Sequence, residues 1–318
     1  MTLEVILWIF AFAVSLAVLI KASDYFTDAA ENLGLLLGLP AFIVGVTIVS
    51  IGTSLPELTS SIVSVIRGSS EIVVANVIGS NISNIFLVLG TAAILSKTLR
   101  IRFNLLKVDL PLFVASAFFL ALTVRDGEFS LGEAILCLAS FCVYLLYAVS
   151  RMESDGAIED SASPKKRDVN AILRQTGILL LSSVFIFIGA NYTIESIENI
   201  STLLNVGQEV ISISVLALGT SLPELIVTIS FSRKGNPEIA IGNVLGSNIF
   251  NSTVVTGVSR LFGPLVLSDV ILDKSLAVML IGTLLFFFAT QDRQVTRWEG
   301  MTFLILYGWF LGATFDLL

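Results

Sequence analysis

The chain has 318 residues, 55% of them hydrophobic and only 14% charged, with a mean hydropathy of +0.92. A soluble domain carries about 25% charged residues, so this chain cannot cover its own surface with polar groups; soluble, disordered, collagenous and disulfide-stapled classes are excluded. The net charge of −7, with no basic patch, argues against nucleic acid as a partner, and the absence of histidine removes histidine bases, ligands and pH switches together.

A helix needs about 20 mainly apolar residues to cross the hydrocarbon core of a bilayer. In chain order, ten stretches qualify: 3–22, 39–66, 72–96, 108–124, 130–150, 174–191, 207–232, 238–260, 274–290 and 299–316. The first reads as a membrane helix rather than a cleaved leader. Glu4 stands where a basic region would belong, and Lys21 and Asp24 follow the apolar run without a clear small-residue cleavage site. The second and seventh stretches are long and interrupted by Gly, Ser, Thr and Pro. Cys137 and Cys142 lie in the fifth, on different helix faces, and read as small buried hydrophobes. The sizeable polar connection is 151–173. It carries Glu153, Asp155, Glu159 and Asp160 before Pro164, Lys165, Lys166 and Arg167, and reads as a flexible cytoplasmic linker without the spacing of an EF-hand loop.

With the N-terminus outside, fourteen of the 18 basic residues fall in inner loops; only Arg67, Arg125, Arg260 and Lys274 fall outside. That bias favours both termini facing out.

The segment Gly52-Thr53-Ser54-Leu55-Pro56-Glu57-Leu58 returns as Gly219-Thr220-Ser221-Leu222-Pro223-Glu224-Leu225, at an offset of 167. At the same offset Asn76–Asn84 returns as Asn243–Asn251, and 18 of 33 positions from Gly52 to Asn84 are identical without a gap. Each half holds five spans, an odd number, so the second copy enters the membrane from the opposite side. The expected fold is an all-α membrane protein of ten transmembrane helices in two inverted five-helix repeats: 1–150, a linker at 151–173, and 174–318. Such repeats place a substrate site near the midplane, at interrupted helices in matching positions.

Glu57 and Glu224 are the strongest chemical signals. An acid at that depth costs about 2.5 kcal/mol or more, so something must offset it. A protonated glutamate bonded to a neighbouring helix is the bland alternative, and two copies at matching positions weigh against it. Pro56 and Pro223 lack the N–H that would bond the carbonyls of Gly52 and Gly219, which is expected to open the turns at Thr53 and Thr220. Asn76, Ser80 and Asn84 share one face of the third span, and Asn243, Ser247 and Asn251 share one face of the eighth; Asn81 and Asn248 join this polar set, part of which is packing between helices. Carboxylates, hydroxyls and carbonyls are hard oxygen ligands. They suit Ca²⁺ and Na⁺ better than metals that ask for His or Cys.

Both copies of Gly-Thr-Ser-Leu-Pro-Glu, each followed by Gly-Ser-Asn-Ile, resemble the α-repeats of the cation/calcium antiporter superfamily, and within it the prokaryotic sodium/calcium exchangers. The resemblance covers essentially the whole chain. It implies exchange of about three Na⁺ for one Ca²⁺ by alternating access, in the cytoplasmic membrane, with the two ions as substrates, no cofactor, no enzyme activity and no protein partner. It implies that Glu57 and Glu224 carry Ca²⁺ with the backbone oxygens of Thr53 and Thr220. Sodium would use the glutamates with Ser54, Ser221, Ser80, Ser247 and the carbonyls of Ser50 and Ala217, while Asn84 and Asn251 complete the middle of the site. Where several family members have aspartate, this chain has Asn251, leaving two formal charges and arguing against potassium dependence. Ala75 replaces the glycine seen at Gly242, and Ser50 stands against Ala217. The competing readings are a Ca²⁺/H⁺ antiporter of the same architecture and a cation channel. A membrane enzyme has little support, with no histidine and no phosphate-binding loop.

Overall fold

The computed structural model describes residues 3–68, 70–96, 98–101, 105, 108–155, 168–203, 221–266 and 269–314. Ten helices are present among them. In the first half they are α1 (Leu3–Leu37), α2 (41–66), α3 (71–96), α4 (Asp109–Thr123) and α5 (Leu131–Asp155). In the second they are α6 (Val169–Leu203), α7 (Leu222–Arg233), α8 (237–262), α9 (Asp269–Thr290) and α10 (Arg297–Thr314). Five stretches are long and apolar enough to cross a membrane: Glu4–Leu37, Ala41–Ile66, Val73–Ser96, Leu131–Ala148 and Val169–Thr193; α4 and Ser275–Thr290 are apolar but shorter.

The polarity is that of a chain solvated by lipid. Leu7, Phe10, Leu35, Leu146, Leu181 and Ile305 are exposed, whereas Glu57, Asn84, Glu224, Asn243 and Asn251 are buried. Water as solvent would sort these residues the other way. Cys137 is buried as expected, but Cys142 is exposed, because five residues turn it to the opposite side of α5.

Several helices outrun their apolar cores. α1 and α6 each have 35 residues, about 52 Å at 1.5 Å per residue against a hydrocarbon core of about 30 Å. The expected spans 3–22 and 174–191 were therefore too short. Hydropathy falls at Lys21, but the helix continues because its polar face has partners. Asp24, Asp28 and Glu31 share one stripe, and the α7–α8 turn grips it. Lys234 Nζ donates to Asp28 Oδ1 at 2.8 Å and to Thr27 Oγ1 at 2.6 Å, Ser230 Oγ donates to Asp24 Oδ1 at 3.3 Å, and Asn236 Nδ2 donates to Glu31 Oε2 at 2.8 Å. The proposed linker is shortened at both ends. α5 continues to Asp155 and α6 starts at Val169, where Asp168 Oδ1 accepts from the amides of Asn170 and Ala171 at 3.1 and 3.2 Å, an N-terminal cap. Residues 156–167 lie outside the described residues.

The offset of 167 governs the backbone as well as the sequence. α1 at 3–37 maps onto α6 at 169–203 within one residue. Two short ribbons map onto each other too. Strand β1 (Thr98–Arg100) pairs antiparallel with β4 (Gln294–Thr296), and β2 (Glu128–Phe129) with β3 (Leu265–Val266). Adding 167 to one partner and subtracting it from the other turns Leu99↔Val295 into Val266↔Glu128, and both pairs are present. β1 and β4 both follow odd-numbered helices, β2 and β3 both follow even-numbered ones. Each ribbon thus ties one half to the other, at opposite ends of the bundle.

Helix α8 runs against α2 with backbones in contact. A Cβ on Gly242 would lie 2.6 Å from the carbonyl oxygen of Phe42, and one on Gly246 would lie 2.6 Å from Ser50 Oγ. No side chain other than hydrogen fits there, and the close approach brings the polar faces of the two helices together.

Candidate cation-binding site

Four helices supply the site. α2 brings Ser50, Thr53, Ser54 and Glu57; α3 brings Ser80 and Asn84; α7 brings Ser221 and Glu224; α8 brings Ser247 and Asn251. All ten are buried, at 2% relative exposure or less. Ala217 and Thr220 lie outside the described residues.

The expected unwinding at Pro56 is absent. Residues 50–66 stay helical through the proline, and the irregularity is a π-helical turn just before, at Gly45–Val49. In the other copy, α7 begins at Leu222, so Pro223 sits in the first turn, where a backbone N–H would have no partner within the helix. Asn84 opens a π-helical turn in α3 and Asn251 opens one in α8, again 167 residues apart. Such turns shift the hydrogen-bond ladder by one residue and recur at functional sites. Here they interrupt both helices at the candidate ligands.

The halves interlock. Ser54 Oγ donates to Glu224 Oε1 at 3.3 Å, from the first repeat to the second. Thr53 Oγ1 donates to Asn243 Oδ1 at 3.1 Å and lies 3.5 Å from Ser247 Oγ, while Asn243 Nδ2 donates to Thr228 Oγ1 at 3.0 Å. Asn251 Nδ2 donates to Asn81 Oδ1 at 3.3 Å.

What remains unpaired is equally specific. Both oxygens of Glu57, Oε2 of Glu224, the hydroxyls of Ser80 and Ser221, both ends of the Asn84 amide and Oδ1 of Asn251 are buried without a hydrogen-bond partner among the described residues. Each such group costs about 1–3 kcal/mol, and more for a charged one. Only one atom of this set, Asn84 Nδ2, is a pure donor, so the set is almost entirely oxygen. It fits a hard cation as the missing partner. A cavity of about 180 Å³ lined by Pro56, Glu57, Ser60, Asn191 and Pro223 adjoins the first carboxylate.

Three residues of this network carried little or no sequence signal. Thr228 lies four residues after Glu224, as Ser61 does after Glu57, so a hydroxyl on the glutamate face of both copies was there to be read. Ser252, whose hydroxyl accepts from Asn81 Nδ2 at 2.8 Å, aligns with Ile85, and the repeat therefore does not flag it. Asn81 repeats as Asn248, but the sequence marks it only as one of a polar set, part of which is packing between helices.

The fold is that of an integral, multi-pass helical membrane protein. Its core of paired carboxylates and neutral oxygens, built from two repeats, has the character of a transporter rather than an enzyme. The chain belongs to the sodium/calcium exchanger protein family, which matches residues 7–150 and 174–315. It is 33% identical to the sodium/calcium exchanger MaX1 of Methanosarcina acetivorans, across 94% of this chain and 96% of that one. It is 29% identical to the inner membrane protein YrbG of Escherichia coli, across 93% and 92% of the two chains. Among solved structures, the sodium-calcium exchanger NCX_Mj soaked with 10 mM Na⁺ and zero Ca²⁺ superposes with a TM-score of 0.80 at 29% identity, covering 95% of this chain and 97% of that one.

Proposed function

We propose that this protein exchanges Na⁺ for Ca²⁺ across the cytoplasmic membrane by alternating access, with three Na⁺ moved against one Ca²⁺. The observation that carries the reading is the buried set of unpartnered oxygens supplied by both repeats around Glu57 and Glu224. The family and the names of its relatives support the identity of the two ions.

Charge accounting then gives the mechanism. Two ionised glutamates neutralise one Ca²⁺, or attract several Na⁺, but not both sets at close range. Mutual exclusion makes the protein an exchanger rather than a leak. Ca²⁺ takes the two carboxylates with the backbone oxygens of Thr53 and Thr220. Na⁺ uses the same carboxylates with Ser54, Ser221, Ser80, Ser247 and the carbonyls of Ser50 and Ala217, and Asn84 and Asn251 close the centre. The two repeats occupy 1–150 and 174–318, joined on the cytoplasmic side, with both termini outside. α1 and α6 move against the other helices to expose the site to each side in turn.

One net charge per cycle couples transport to voltage at about 2.3 kcal/mol per 100 mV. The test is Ca²⁺ uptake into Na⁺-loaded proteoliposomes at a clamped potential. The expected result is uptake that requires the outward Na⁺ gradient and accelerates when the interior is positive, because a positive charge leaves with each cycle. Voltage-independent uptake would overturn the stoichiometry. Uptake driven by a proton gradient without sodium would overturn the choice of counter-ion.

A further inference from the structure

Asn81 sits on α3 facing α8, one turn from Asn84, and takes part in four contacts that together fix an orientation, the weakest being from Nδ2 to Met279 Sδ at 3.8 Å. Its Nδ2 donates to Ser252 Oγ at 2.8 Å and approaches the main-chain carbonyl of Asn248 at 3.4 Å. Its Oδ1 accepts from Asn251 Nδ2 at 3.3 Å. The two ends of an amide have nearly the same shape, so the order of donors and acceptors must come from the network. A serine hydroxyl can serve either end. A main-chain carbonyl only accepts, so the nitrogen of Asn81 must face Asn248 and its oxygen must face Asn251. Asn251 in turn must present its nitrogen to Asn81, which leaves Asn251 Oδ1, buried and without a partner among the described residues, for the site.

The counterpart at offset 167 is built differently. Asn248 matches Asn81, yet its Nδ2 donates to Val244 within its own helix at 2.6 Å, and neither end of Asn84 has a partner among the described residues. The duplication kept four asparagines but made one orienting chain.

We propose that Asn81 is a positioning residue that holds the Asn251 amide with its oxygen toward the transported cation. The assignment rests on the exchange function proposed above. Asn251 is thereby a neutral, single-ended oxygen ligand, while Asn84 is free to turn either end inward. A carboxylate at 251 would set oxygen against Asn81 Oδ1, so the amide is the side chain this network accepts.

The test is a double-variant cycle on Na⁺-driven Ca²⁺ uptake by the full-length protein in proteoliposomes, with thermal unfolding measured alongside. Asn81→Ala is expected to raise KM for Ca²⁺ about fivefold, as loss of one ordered polar contact does, with kcat within about twofold. In an Asn251→Ala background the same substitution leaves KM unchanged, because the residue it orients has gone. Ser252→Ala, which removes the shorter of the two holds on Asn81, gives a smaller rise of about twofold that also vanishes in that background; it carries the test if Asn81→Ala does not fold. A wild-type KM in Asn81→Ala, or rises that multiply equally in both backgrounds, would overturn the assignment while leaving exchange intact. Absence of Na⁺-driven uptake in the unaltered protein would instead overturn the exchange reading.

Discussion

Ser54 of the first repeat donates its hydroxyl hydrogen to Glu224 of the second, at 3.3 Å, with both side chains buried. The bond joins two motifs that are copies of each other, so one repeat steadies the carboxylate of the other. The hydroxyl of Ser221, the copy of Ser54, has no partner among the described residues. Among the described residues the pseudo-symmetry that builds the site is therefore broken within it: the Glu224 carboxylate accepts a side-chain hydrogen bond and that of Glu57 accepts none.

Replacing that serine tests the asymmetry. Ser54→Ala removes a hydrogen bond to a charged group, which contributes about 1.5–3 kcal/mol. The expected outcome is a rise in KM for Ca²⁺ of roughly tenfold or more, exceeding that of Ser221→Ala. Equal effects in the two variants, measured as Ca²⁺-dependent uptake rates, would show that the bond does not matter to the ion.

The response to pH follows from the ligand set. The chain has no histidine, and protonating either glutamate removes one negative charge and one anionic ligand. Ca²⁺ affinity should fall as pH falls. KM for Ca²⁺ measured across a pH series should rise toward acid, and the pH dependence of Ca²⁺ binding to the purified protein should change in Glu57→Gln and Glu224→Gln. A binding profile unchanged in both variants would move the pH response elsewhere.

The glycine contact predicts a steric failure. Gly246→Val would press into Val46 and Ser50 of α2, where even a single Cβ has no room. Overpacking of this kind costs about 1–3 kcal/mol, and it displaces the helix that carries Glu57. Thermal unfolding in detergent should occur at lower temperature and uptake should drop sharply. Wild-type stability in this variant would mean that α2 and α8 are not in backbone contact.

The grip of the α7–α8 turn on α1 predicts a smaller effect. Lys234 is 28% exposed and its partner Asp28 is 62% exposed, so solvent screens the pair. Lys234→Met should destabilise the protein by about 1 kcal/mol, and high salt should narrow the difference from the unaltered protein. A salt-insensitive loss would assign the effect to packing of the lysine stem rather than its charge.

Much of this architecture could be read from the residues. Hydropathy located the ten helices seen among the described residues, because lipid demands long apolar runs, although 207–220 of the seventh stretch lies outside those residues; the offset of 167 located the paired glutamates. The end of α1 was missed because hydropathy stops at Lys21 while the acidic stripe of Asp24, Asp28 and Glu31 finds partners on α7 and the turn after it. The ribbons were missed because strands of two or three residues leave no periodicity. Pro56 suggested an opened turn at Thr53, but the packed helix tolerates the proline and takes its irregularity at Gly45–Val49. A repeat shows that two motifs correspond. It does not show that the hydroxyl of Ser54 reaches across to Glu224 while that of Ser221 has no partner among the described residues, nor which end of the Asn251 amide faces inward.

The most direct test of the central claim is Na⁺-driven uptake of radiolabelled Ca²⁺ by Glu57→Gln and Glu224→Gln, each reconstituted beside the unaltered protein. Glutamine keeps the shape and one oxygen but removes the charge. The account predicts that either substitution abolishes uptake while the protein still folds, since one remaining charge cannot neutralise Ca²⁺. Na⁺-driven uptake at the unaltered rate in either variant would contradict it.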